Sequence, residues 1–149
     1  MRKVSILLFV LTAFMPVIAL AGAAEEANAL VDRWAATFTA NDAEAIVKLY
    51  TNDAVLLGTV SPIIADNAGS RRAYFSRLPG SGNKNVIGDR RTIAISDTAV
   101  LVTGFYDFTV MQGGKPVESA ARFSMLPVKR GNDWLIAHHH SSARPKPRQ

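Results

Sequence analysis

A series of strand-like segments fills the second half of the chain and strongly limits how it can fold. β-Branched and aromatic residues recur with strand periodicity in residues 86–96, 99–111, 116–128 and 134–142. Short polar turns join these segments, and the turn at 112–115 contains two glycines suited to a tight hairpin. Consecutive strands with such short connections pair antiparallel, so the sequence predicts a meander.

Helical periodicity precedes this meander. Residues 24–40 place Leu30, Val31, Trp34 and Phe38 on one helical face. A second, shorter helix is predicted after an Asp42 cap, followed by a strand over 54–60 and a third helix that begins near 67–70 and reaches Leu78. Because the helices come first in the chain and most strands come last, the sequence predicts an α+β fold, with the helices packed on one face of a mostly antiparallel sheet.

The first residues have the pattern of an export signal. Met1-Arg2-Lys3 precedes an apolar run that ends in small residues suited to a signal peptidase. We predict a signal peptide over 1–23, one domain over 24–143 and a basic, proline-rich tail over 144–149. The expected location is periplasmic or secreted, without stable membrane association once the signal is cleaved.

Charge and cysteine content narrow the class of function. Residues 25–143 contain 12 Lys or Arg and 12 Asp or Glu, so the predicted domain is neutral and nucleic acid is not an expected partner. The chain contains no cysteine, which removes thiol catalysis and cysteine-bound metals from consideration.

All three histidines lie in the last predicted strand, 134–142. Strict alternation would put His138 and His140 on the face of Trp134, and His139 on the opposite face with Ser141. A bulge would reverse the assignment, so which imidazole points inward stays open. His138 and His140 would lie about 7 Å apart, near enough to share a metal ion. No third ligand has a diagnostic spacing, so we predict no metal site.

Other polar residues of the meander are candidates for binding or proton transfer. Arg122 could anchor a carboxylate through two hydrogen bonds, or pair internally with Asp107 or Glu118. Tyr106 and Asp107 lie on opposite faces, and either could serve in proton transfer. We therefore consider His138, His139, His140 and Asp107 as catalytic candidates, and Arg122, Tyr106, His138, His140, Ser141 and Trp34 as ligand-binding residues.

Several motifs resemble the nuclear transport factor 2-like, or SnoaL-like, superfamily, whose cone-shaped fold is also described as cystatin-like. They are residues 49–55 at the end of the second helix, Tyr74-Phe75 in the third helix and the long meander. More narrowly, the turn at 129–134 and the segment 138–145 resemble the C-terminal signature of calcium/calmodulin-dependent protein kinase II association domains, as found in small bacterial proteins. The resemblance implies a curved sheet around three helices, a cavity at the wide end of the cone, and self-association.

The resemblance is incomplete at the association-domain pocket. Arg122 matches one of its arginines, but Phe105 and Ser141 stand where two others are expected, and Arg71 stands at the helix histidine. Ligand identity therefore does not transfer, and we expect no kinase domain in the chain.

Three functions agree with the sequence. The first is an exported domain that needs no cofactor, binds a small polar or anionic molecule and forms homo-oligomers. The second is a cofactor-independent SnoaL-type isomerase, hydratase or cyclase, a group whose relatives are sometimes labelled oxidoreductases. The third is a pure assembly domain.

Overall fold

The computed structural model describes residues 15–146. Three helices come first, interrupted by one strand: α1 (Met15–Thr39), α2 (Ala43–Lys48), β1 (Tyr50–Leu57) and α3 (Ala68–Phe75). Four strands follow: β2 (Lys84–Ser96), β3 (Ala99–Gln112), β4 (Lys115–Arg130) and β5 (Asp133–Ala143). No helix among these residues is long and apolar enough to cross a membrane.

The helices form where caps and apolar periodicity predict them. The Asp42 side chain accepts a hydrogen bond from the Ala45 backbone N–H at the start of α2. Asn67 caps α3 and forms a reciprocal capping box with Ser70. α1 begins upstream of the predicted start at residue 24, whereas α3 ends before Leu78, where a turn takes over.

The sheet has the strand order β1-β5-β4-β3-β2. β2 to β5 are a continuous antiparallel meander, as predicted, and β1 joins its far edge parallel to β5. A register irregularity in β2 lies opposite Gly104, where an added Cβ would be only 2.5 Å from the Asp89 carbonyl oxygen. This close backbone approach and the irregularity are typical of the sites where strands bend.

The core lies between the helices and the inner face of the sheet. α1 packs across β2, β3, β4 and β5 and buries Leu30, Val31 and Trp34 against them. The opposite, outer face has no helix among the described residues, and Val86, Ile93, Ile95 and Phe105 remain exposed there. The predicted α+β architecture is confirmed.

A bulge in β5 decides which histidine enters the core. Leu126 pairs with His138 while Pro127 pairs with Ile136, so Ala137 is an extra residue in β5. Strict alternation therefore does not hold in β5, and of the two arrangements that the sequence left open, the one with a bulge forms. Trp134 and Ile136 share the inner face with His139 and Ser141, whereas His138 and His140 face outward.

The side chain of Arg71 connects α3 to β1 through hydrogen bonds. Its guanidinium donates to the backbone carbonyls of Ala54 at 2.6 Å, Thr51 at 2.7 Å and Asn52 at 2.9 Å. The residue is 1% exposed. These three contacts pair the two terminal nitrogens of the buried guanidinium, while its Nε has no partner among the described residues. They hold the first half of β1 against the helix layer.

Candidate ligand cavity and outer groove

A cavity of about 230 Å³ opens between the helices and the inner face of the sheet. Most of its wall is aromatic or aliphatic. We call it the cone cavity; its lining residues are Trp34, Phe38, Leu56, Thr59, Val60, Tyr74, Phe75, Arg77, Leu78, Asn83, Tyr106, Phe108, Val110, Ser119, His139 and Ser141. No Asp or Glu is among these described lining residues, so the wall supplies no carboxylate.

One side of the cone cavity is polar and is built around His139. The Trp34 indole N–H donates to the Tyr50 hydroxyl over 2.8 Å, and that hydroxyl lies 2.8 Å from His139 Nδ1. On the other side of the imidazole, Nε2 lies 3.3 Å from the Tyr106 hydroxyl. The network links α1 to β1, β5 and β3, so three strands and a helix position one imidazole.

Burial controls the protonation of this network. His139 is 1% exposed and contacts the Trp34 ring edge-on with centroids 5.0 Å apart. This desolvation lowers the pKa of His139 to about 3, assisted by His138 and His140, so the imidazole is neutral at physiological pH. Desolvation likewise raises the pKa of Tyr106, which keeps its phenol protonated.

Two hydroxyls extend the polar side. Thr59 and Ser141 are hydrogen-bonded to each other, and both line the cone cavity together with Tyr106. Gly58 precedes Thr59 and leaves room for the Tyr74 ring, because an added Cβ would overlap the ring atoms. The loop after β1 therefore brings a hydroxyl and an aromatic wall to the same side of the cone cavity.

A second concavity of about 580 Å³ lies on the outer face of the sheet. This outer groove is lined by Asp89, Arg90, Arg91, Thr103, Gly104, Phe105, Arg122, Phe123, Ser124, His140 and Ser142. Arg122 donates from Nε to the Ser142 hydroxyl at 3.1 Å. Arg90 is paired with Asp32, at 3.0 Å for one of its two contacts.

The structure divides the predicted site residues between the two faces. Trp34, Tyr106, His139 and Ser141 line the cone cavity. Arg122 and His140 line the outer groove, and the partly buried His138 also faces outward.

The expected grouping of Arg122 with a cavity histidine is thus corrected. Its neighbours Ala121 and Phe123 are core residues and β4 is regular between them, so Arg122 must point outward. This signal is present in the sequence, because Ala121, Phe123 and Met125 alternate with polar Arg122 and Ser124.

Asp107 is also remote from the cone cavity. It is exposed on the outer face and pairs with Arg144 at 3.1 Å, while the Arg144 guanidinium stacks over Phe105 with its carbon 4.3 Å from the ring centroid. Glu118, the other predicted partner of Arg122, instead accepts a hydrogen bond from Thr109 at 2.9 Å. Within residues 15–146, no three His, Asp or Glu side chains converge as metal ligands.

Tyr50 and Thr59 belong to the polar side of the candidate site, and neither is predicted from the sequence. Tyr50 reads as the last apolar position of the second helix, but the chain has already entered β1 there. Its hydroxyl reaches His139, which is 89 residues away. Thr59 lies in a loop without local periodicity. Nothing in the sequence near either residue signals its partner.

The fold and the cone cavity define a class of protein: a curved α+β cone that encloses a small, mainly apolar cavity. The SnoaL-like domain family model matches residues 27–145. The chain belongs to the SnoaL-like domain family.

Solved structures agree with this assignment. A Xanthomonas campestris protein described as a calcium/calmodulin-dependent protein kinase II association domain is 33% identical, with a TM-score of 0.77 over 82% of this chain and 88% of that one. The hub homology domain of the Chlamydomonas reinhardtii calcium/calmodulin-dependent protein kinase II is 18% identical. Its TM-score is 0.68, over 83% of this chain and 99% of that one.

A Novosphingobium aromaticivorans protein described as a scytalone dehydratase has a TM-score of 0.78 at 9% identity, over 87% of this chain and 89% of that one. This likeness shows the fold alone. No curated protein sequence matches the chain.

Proposed function

We propose that this protein is an exported binding protein that holds a small, largely apolar molecule in the cone cavity. One observation carries the proposal: an aromatic cavity is closed on one side by a buried network that ends at the Tyr106 hydroxyl, and the Thr59 and Ser141 hydroxyls line the same cavity. A concave apolar pocket with a few convergent polar groups is the usual form of a small-molecule site. The export signal predicted over 1–23 supports action outside the cytoplasm.

The geometry revises the ligand expected from sequence. With Arg122 in the outer groove, no described residue places a cation on the inner side of the cone cavity: His139 is neutral and the neighbouring side chains are hydroxyls. Arg77 is the one Arg or Lys among the described lining residues, and it is exposed. An anionic group is therefore best accommodated near Arg77, and the inner end of the ligand is uncharged.

Binding is better supported than proton abstraction. Both ring nitrogens of His139 already face tyrosine hydroxyls at 2.8 Å and 3.3 Å. Asp107, the carboxylate candidate, lies on the outer face and is paired with Arg144. A general base needs a free acceptor within hydrogen-bond reach of substrate, and the described cavity wall offers no ionised one.

Ligand binding is tested with a thermal-shift screen of small aromatic ketones and carboxylic acids. A ligand at ten times its Kd stabilises the fold by about 1.4 kcal/mol, which raises Tm by about 3–5 °C. We expect Ser141→Leu to abolish the shift, because the larger side chain fills the polar side of the cone cavity.

Arg122→Ala is the matched control and should keep the full shift, since Arg122 lines the outer groove. A shift lost in Arg122→Ala and kept in Ser141→Leu would move the site to the outer groove. The absence of any shift across the screen would favour a pure assembly domain.

We also propose that the outer face is where copies of the chain associate. Val86, Ile93, Ile95 and Phe105 are exposed there at 67%, 56%, 62% and 42%. Isolated soluble domains rarely leave an apolar face of this extent uncovered. Two structural relatives are described as association or hub domains, which supports self-association.

Replacing Phe105 by Glu should therefore dissociate the oligomer. The change puts a carboxylate into the centre of the proposed interface, where burial without a partner is costly. Light scattering should give a multiple of the protomer mass for the native protein and the protomer mass for the variant. Ile64→Glu, at a residue 58% exposed in the loop after β1, is the control and should remain oligomeric. A native protein that is monomeric at all concentrations contradicts this proposal.

A further inference from the structure

We propose that the Tyr106 hydroxyl is a fixed hydrogen-bond donor to the ligand, so that the cone cavity selects small aromatic molecules with an uncharged carbonyl oxygen at their inner end. This inference rests on the proposed ligand-binding function and specifies the chemical class of the ligand. It follows from which group donates and which accepts in each hydrogen bond of the chain Trp34, Tyr50, His139 and Tyr106.

The direction of the network is set at Trp34. An indole N–H can only donate, so the Tyr50 oxygen accepts from it at 2.8 Å. The buried Tyr50 hydroxyl has one hydrogen of its own, and its other partner is His139 Nδ1 at 2.8 Å. Leaving that hydrogen without an acceptor would be costly in a buried site, so Tyr50 donates to Nδ1.

The tautomer of His139 determines which group donates in its hydrogen bond with Tyr106. A neutral imidazole has one N–H, and with Nδ1 accepting, the hydrogen lies on Nε2. His139 is enclosed by aromatic rings, and no carboxylate lies among the described residues lining the cavity to stabilise a second proton. Nε2–H therefore donates to the Tyr106 oxygen at 3.3 Å.

The remaining hydrogen points into the cavity. The Tyr106 oxygen accepts from His139, so its own O–H is directed away from the imidazole, toward the cavity that Thr59 and Ser141 also line. A ligand that reaches this side meets a donor whose orientation is fixed by three other residues, Trp34, Tyr50 and His139, and rotating the hydroxyl away would break its hydrogen bond with His139. A carbonyl oxygen of the ligand can accept this hydrogen bond. With a ligand that lacks an acceptor, the Tyr106 O–H would have only the Thr59 and Ser141 hydroxyls as possible acceptors.

Size and charge narrow the class further. A volume of about 230 Å³ lies below the 300–1,000 Å³ typical of sites for drug-sized ligands, so the ligand is small. The rings of Trp34, Phe38 and Phe108 stack or meet edge-on along the wall and suit a flat apolar body. A carboxylate at the inner end would be desolvated without a cation beside it, which favours a neutral ketone or aldehyde.

The first test reads the His139 tautomer by NMR of the native protein labelled with ¹⁵N-histidine. The His138→Gln and His140→Gln variants assign the three imidazoles. We expect His139 to be the neutral Nε2–H tautomer from pH 5 to 8, and Tyr50→Phe to shift the population toward Nδ1–H because the donor to Nδ1 is lost. A native protein in the Nδ1–H form overturns the inference, whether or not any ligand binds.

The second test compares acetophenone with ethylbenzene, which have similar shapes but differ in the carbonyl oxygen. We expect acetophenone to bind about tenfold more tightly to the native protein, the ratio that one well-formed hydrogen bond provides. Tyr106→Phe should reduce the ratio to near one and leave ethylbenzene affinity unchanged. Equal affinities in the native protein overturn the carbonyl selection while preserving the binding function. No binding of either probe, with the expected tautomer in place, overturns the aromatic binding function itself.

Discussion

Replacing Arg71 by Met is expected to lower the free energy of unfolding by about 4 kcal/mol. Methionine has a similar length but no donor, so the carbonyls of Ala54, Thr51 and Asn52 lose their partners. Each unpaired buried carbonyl costs about 1–3 kcal/mol, and removing a desolvated cation offsets part of the sum. Urea denaturation with an unchanged m-value measures the loss.

Arg72→Met is the matched control on the next position of the same helix. Arg72 pairs with Glu44 at 3.2 Å, and its side chain is 55% exposed. Exposed pairs of this kind contribute about 0–1 kcal/mol, so the control should be nearly as stable as the native protein. If Arg71→Met loses no more unfolding free energy than Arg72→Met, the carbonyl contacts of Arg71 contribute little to stability.

Acidification is expected to destabilise the protein through His139. Its pKa is about 3 in the folded protein and close to 6.5 in the unfolded chain. Between these values the unfolded state binds the additional proton, so stability falls as the pH decreases from about 6.5 to about 3. At pH 4.5 the loss relative to pH 7 is about 3 kcal/mol, at 1.36 kcal/mol per pH unit.

The pH effect is isolated by comparing variants. His139→Gln should be less stable than the native protein at pH 7, but the histidine contribution to its pH dependence should disappear. His140→Gln removes an exposed imidazole from the same strand and should keep the native pH dependence. Denaturant titrations at pH 7 and 4.5 provide the comparison. A pH dependence that survives in His139→Gln would assign the acid sensitivity to other groups.

Local signals were sufficient for the type and order of the helices and strands and for the fold class, though not for every boundary. Asp42 and Asn67 predicted helix starts correctly because a cap depends only on residues within one turn. The Gly113-Gly114 turn predicted a hairpin because both residues need positive φ, which the structure shows at 56° and 77°. The pairing of β1 with β5 needed the resemblance or the structure, because these strands are far apart in sequence.

The sequence alone predicts an α+β meander with three adjacent histidines in one strand, but it placed Arg122 among the ligand-binding residues of the cavity, whereas Arg122 lines the outer groove. Which imidazole enters the core depends on tertiary packing. The extra residue Ala137 shifts the side-chain alternation of β5, and no local preference fixes where such a bulge occurs. The partners of His139 were likewise settled by packing, because Trp34, Tyr50 and Tyr106 come from separate elements that meet only when the helices close over the sheet.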